Sequence, residues 1–119
     1  MSLIACEDTR RTRALLAHFD IHTPTTSYFE HNALVRGPQL LKALEEGRSV
    51  ALVTDAGTPG ISDPGFMLVR DARARAVPVV PVPGASALVA ALSAAGIPGD
   101  RFVFDGFLPV KPGKRLNRL

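Results

Sequence analysis

Residues 49–70 read SVALVTDAGTPGISDPGFMLVR, and they decide the fold. Val50 to Val53 form a continuous apolar run of strand length. From Val53 to Gly65 the chain then holds three glycines and two prolines among Asp, Ser and Thr, a composition that suits neither helix nor strand. Beyond it, PGFMLVRDARARA has helical spacing, with Pro64 placed for a first turn and Ser62 or Asp63 for the cap. A strand, a glycine-rich connection and a helix together make one unit of a parallel α/β sheet. In such sheets ligands collect outside the carboxyl ends of the strands.

The same alternation extends in both directions. Leu3 to Cys6 read as a strand. Asp8 or Thr9 caps a helix whose expected apolar face is Ala14, Leu15, Ala17 and Phe19. TPTTSYF reads as a second strand, and RGPQLLKALEEG as a helix closed by Gly47. After the central unit, VPVVPV reads as an edge strand, because its prolines cannot donate to a ladder. GASALVAALSAAG reads as a helix ending at Gly96, and RFVFDGF as a last strand. Strands alternating with helices predict an α/β domain, a parallel sheet flanked by helices, joined by right-handed crossovers.

The chain has 119 residues, enough for one domain, and is 46% hydrophobic, enough for a core. No apolar run approaches the roughly 20 residues of a membrane span, so no membrane partner is expected. No basic segment followed by an apolar run marks a signal peptide. The single cysteine, Cys6, precludes an internal disulfide and suits a cytoplasmic setting. The net charge of +3 is carried by the end of the chain. Without Lys111, Lys114, Arg115 and Arg118 the rest holds ten basic against eleven acidic residues, so the body is not a basic nucleic-acid binder.

The central loop, Asp55-Ala56-Gly57-Thr58-Pro59-Gly60-Ile61-Ser62, combines residues that bring backbone close to a ligand. Glycines allow left-handed backbone, prolines stiffen it, and Asp55 places a carboxylate at a strand end. The segment Pro83-Gly84-Ala85-Ser86 repeats the arrangement before the next helix, whose first amides are free for a ligand or for Ser86 as a cap. Each loop equally suits a capped turn. Neither is a Walker loop nor a G-x-G-x-x-G turn, which disfavours a nucleoside triphosphate.

These two loops, with VPVVPVPGASALVAALSAAGIPGDRFVFDGFLP, resemble the tetrapyrrole (corrin/porphyrin) methylase superfamily. IACEDTRRTRALLAHF and SYFEHN resemble, within it, the branch that methylates the ribose 2′-hydroxyl of a cytidine in small-subunit ribosomal RNA. The resemblance covers residues 4–110. It implies S-adenosyl-L-methionine as cofactor, held by Asp55 to Ser62 and by Pro83 to Ser86, with no metal. It implies ribosomal RNA as substrate, met by Arg10, Arg11, Arg13, Tyr28 and Asn32, with His31 as candidate base. Glu7 and Asp8 would balance the arginines, and His18 and His22 have no assigned role. The superfamily also contains precorrin and porphyrin C-methyltransferases, and a non-catalytic binding module of the same fold is a third reading. Residues 4–110 are expected to form a partial N-terminal domain lacking its first strand, with 111–119 beginning an inter-domain linker. Such a chain is expected to associate as a homodimer and to be inactive in isolation.

Overall fold

The structure is a computed structural model describing residues 1–118, so the last residue of the expected 111–119 linker lies outside it. Three strands, Leu3–Cys6 (β1), Thr25–Ser27 (β2) and Val50–Val53 (β3), form a parallel sheet in the order β2-β1-β3. Ile4 is level with Thr25 on one side and Ala51 on the other. Helices Thr9–His18 (α1), Ala33–Glu45 (α2) and Gly65–Ala74 (α3) alternate with the strands. The α/β reading therefore holds for the first 77 residues. Two compact units are present, Met1–Ala87 and Leu88–Leu119.

The core of the first unit lies on one face of the sheet. Ala5, Tyr28, Leu40, Leu41, Leu68 and Ala72 are buried together, with Leu3, Val50 and Leu52 packed against them. Alternation along β1 sends Leu3 and Ala5 to this face and Ile4 and Cys6 to the other. The path from β1 out to β2 and back across to β3 reverses direction, so right-handed crossovers put α1 and α2 on opposite faces.

This explains a difference in α1. The expected apolar face is exposed, with Leu15 at 53% and Phe19 at 63%, while Thr12 is buried and Leu16 half-buried. On its face of a narrow sheet α1 packs beside β2, so its contact runs through Thr12 and Leu16. In α2 the helix starts three residues before the expected Arg36. The Asn32 carbonyl accepts from the Val35 and Arg36 amides, and Pro38 is carried inside the helix.

Two expected strands are absent among the described residues. Residues 78–86 carry neither strand nor helix, and neither do residues 101–107. In VPVVPV the prolines remove the amides a ladder needs. In RFVFDGF, Gly106 takes a left-handed φ of 74°, which breaks an extended run. The second unit holds most of helix Ala87–Ala94 (α4) and all of Pro112–Leu116 (α5). Its basic residues are partly committed: Arg118 pairs with Asp105 at 2.8 Å, and Arg115 donates to the carbonyls of Pro109 and Val110.

Candidate functional site at the carboxyl edge

Three connections leave the carboxyl ends of the three strands. After β1, Asp8 caps α1: its Oδ1 accepts from the Arg10 amide at 2.8 Å, as the sequence suggests. The Arg10 side chain returns to the same carboxylate, Nη2 to Oδ2 at 3.0 Å. The Arg10 guanidinium, with its own amide, holds the Asp8 carboxyl down at about 2. Arg13 turns away and donates to Thr25 Oγ1 at 3.2 Å.

After β3 the glycine loop begins at Asp55, which is tied to the β1 connection from two directions. Its carboxylate accepts from Arg11 Nη1 at 3.1 Å, and its amide donates to Glu7 Oε2 at 3.4 Å. The register explains the meeting, since Cys6 is level with Val53 on the neighbouring strand. Downstream, Thr54 Oγ1 donates to the Gly57 carbonyl at 3.3 Å. Gly57 and Gly60 take φ of 76° and 86°, values that other residues adopt only under strain. Space around Gly57 is open, with nothing within 4 Å of an added Cβ.

Asp63 pins the far end of the loop. Its Oδ1 accepts from the Gly60 amide at 3.0 Å and from the Gly65 amide at 2.8 Å. Ser62, the other expected cap, instead takes a left-handed φ of 53°. Gly65 has a part that the sequence reading missed. A Cβ there would lie 2.5 Å from Asp63 Oδ1 and 2.8 Å from Leu52 Cδ2, so helix and strand meet through its bare backbone. The short spacing between Asp63 and Gly65 was the available signal.

The connection after β2 departs from expectation. Tyr28 is only 3% exposed and belongs to the core. Its hydroxyl donates to the Pro64 carbonyl at 3.3 Å, and burial pushes the phenol up from its ordinary value. Its ring is therefore not free to stack on a base; it anchors the start of α3 to the end of β2. Asn32 is likewise committed to its own turn. Its Oδ1 accepts from the Phe29 amide at 2.8 Å, and its Nδ2 donates to Ser27. Half-buried Phe29 lies edge to face with exposed His31, centroids 6.0 Å apart. An open depression of about 310 Å³ lies here, lined by Glu7, Asp8, Thr9, Arg10, Ser27 and Phe29.

The second glycine segment does not behave as the first. No strand precedes Pro83, so it does not leave the sheet, and Gly84 neither takes a left-handed φ nor has a close neighbour. The expectation of two loops at consecutive carboxyl ends is thereby corrected to one. Among the described residues no three His, Cys, Asp or Glu side chains gather as a metal site. None of the described helices is long and apolar enough to cross a membrane.

A parallel sheet with a pinned, glycine-rich loop at its carboxyl edge is the arrangement that the sequence likeness implied. The sequence profile of the Tetrapyrrole (Corrin/Porphyrin) Methylases matches residues 2–118. The chain belongs to this family. Among curated methylase relatives, a protein of Mesorhizobium japonicum named ribosomal RNA small subunit methyltransferase I is 56% identical over 117 residues. That alignment covers 98% of this chain and 40% of the relative. A Pseudomonas aeruginosa protein of the same name is 55% identical over 119 residues, covering 100% of this chain and 42% of the relative. One from Synechocystis is 54% identical over the same length, 43% of its own. The chain thus spans about two fifths of the length of these relatives.

Proposed function

We propose that the polypeptide carrying this chain is an S-adenosyl-L-methionine-dependent methyltransferase. Its substrate would be the ribose 2′-hydroxyl of a cytidine in small-subunit ribosomal RNA. The observation that supports the RNA as substrate is the identity of more than half, over 98% and 100% of the chain, to proteins named for small-subunit ribosomal RNA, while the cytidine 2′-oxygen follows from the sequence resemblance. Nothing comparable favours a tetrapyrrole substrate. Residues 4–110 would contribute one domain to the cofactor site, with 111–119 leading out of it.

The loop from Asp55 to Ser62 suits the cofactor. Gly57 and Gly60 hold the loop in left-handed backbone, and open space at Gly57 leaves room for a ligand. Asp55 offers a carboxylate with an orientation already set. Pinning by Asp63 orders the loop before binding, which lowers the entropy lost on association. Pro83 to Ser86 would make a second contact. S-adenosylmethionine supplies a methyl group activated by its sulfonium, so much of the remaining task is placement of the attacking oxygen. Arg10, 87% exposed at its side chain, lies beside the depression where an RNA phosphate would rest, with Arg11 and Arg13 on the same helix and Phe29 offering a base-stacking edge. His31, exposed at the same edge, is the candidate proton acceptor. Both outer strands leave unpaired edges, and Val82 and Phe107 are exposed; we place the protein in the cytoplasm as a homodimer associating through such surfaces.

Transfer of labelled methyl from S-adenosylmethionine to small-subunit ribosomal RNA by the full-length polypeptide is the test. Label on a cytidine 2′-oxygen is the expected result. Label on a tetrapyrrole would return the C-methyltransferase reading, and cofactor binding without transfer to either would favour a binding module.

A further inference from the structure

We propose that Arg11 is a positioning residue for the cofactor loop, holding the Asp55 carboxylate in the orientation in which it meets the ligand. This rests on the cofactor reading above and deepens it. Three arginines crowd the start of α1, and the structure gives each a different partner. Arg10 returns to Asp8, Arg13 reaches Thr25, and Arg11 crosses to the next strand end to bind Asp55 Oδ2. The residue before the α1 cap, Glu7, accepts from the Asp55 amide. One turn therefore grips Asp55 by side chain and by backbone together.

The rest of the loop shows why this grip matters. Asp63 fixes the distal half through the amides of Gly60 and Gly65. Near the strand, Asp55 is tied to Arg11 and Glu7, and its side chain is 18% exposed against 70% for Arg11. A carboxylate without such a partner distributes among rotamers, and a binding group that must be ordered on arrival weakens affinity. The guanidinium fork supplies direction as well as charge.

Charge and orientation predict opposite signs. S-adenosylmethionine carries a sulfonium and an ammonium, so removing a nearby cation favours binding on charge grounds. Loss of orientation disfavours it. The pair is largely solvent-exposed on the arginine side, and exposed pairs are worth modest amounts, up to about fivefold in affinity.

Calorimetric titration of S-adenosylmethionine into the full-length polypeptide decides between them. Arg11→Ala is expected to raise the Kd by about three- to fivefold, with Arg11→Lys recovering part of the loss. On an Asp55→Asn background Arg11→Ala is expected to change nothing further, because the two residues act as a unit. Melting temperatures of the variants check that each remains folded. Unchanged or tighter binding by Arg11→Ala, or full additivity with Asp55→Asn, overturns the positioning role while wild-type binding leaves the cofactor reading intact. A wild-type protein that binds no cofactor overturns both.

Discussion

Two valine-rich segments of this chain, VALV at 50–53 and VPVVPV at 77–82, have met opposite fates. The first is the strand β3, paired along its length with β1 and half-buried. The second forms no strand, and Val80 and Val82 are 80% and 88% exposed. Hydrophobicity does not separate them. The difference is in backbone donors: β3 has an amide at every position, whereas Pro78 and Pro81 interrupt the second run and Pro83 follows it. A parallel strand survives on its ladder as well as its side chains; without the ladder only the start of the run, Val77, packs against the core, and Val80 and Val82 stay exposed.

Removing side chains from the core against which β3 packs and from the second run should therefore have unequal consequences, and this is the largest effect expected. Leu41, 2% exposed in α2, should cost about 2–5 kcal/mol when cut to alanine. Val82→Ala should change stability by less than about 0.5 kcal/mol. Denaturant unfolding of the two variants is the check, and equal losses would mean that residues 78–82 are packed after all.

The glycine segments extend the contrast to backbone. Gly57→Val forces a β-branched residue to a φ of 76° and should cost about 1–2 kcal/mol. Gly84→Val, in ordinary backbone with open surroundings, should cost little in the same unfolding experiment. A Gly84 variant as unstable as the Gly57 variant would show that the two segments are equivalent in the folded protein.

A smaller effect sharpens the account of the carboxyl edge. The Asp8 carboxyl lies at about 2 in the folded protein against an ordinary 3.8. A depressed carboxyl contributes stability that is complete above its unfolded value and fades as pH falls from about 4 to about 2. Asp8→Asn should lower the melting temperature at pH 7 and flatten its fall over that acid window. A variant whose acid profile parallels the wild type would remove Asp8 from the titration.

The central part of the fold was legible because its signals agreed. Residues 49–70 combined a strand, glycine and proline punctuation, and a helix start, and β1, α1, β2, α2 and α3 followed the same logic. What composition could not give was strand order. The meeting of Arg11 with Asp55 depends on β1 lying between β2 and β3, which no residue states. The same limit hid the face of α1, where Leu15 and Phe19 match a helical stripe yet find no sheet beneath them. Tyr28 misled for another reason: an aromatic beside a histidine and an amide looks like a recognition group, but just past the carboxyl end of β2 it packs into the core beside the start of α3. The family likeness in the loop motifs was the one signal that reached function, and residue-level roles still required coordinates.

The central claim is that the loop from Asp55 to Ser62 is where the cofactor meets this domain. Hydrogen exchange of the full-length polypeptide, with and without S-adenosylmethionine, addresses it most directly. The account predicts that amides of residues 55–62 slow markedly on cofactor addition, while those in the second half of α1 keep their rates. Binding that leaves residues 55–62 unchanged and protects another part of the chain would contradict it.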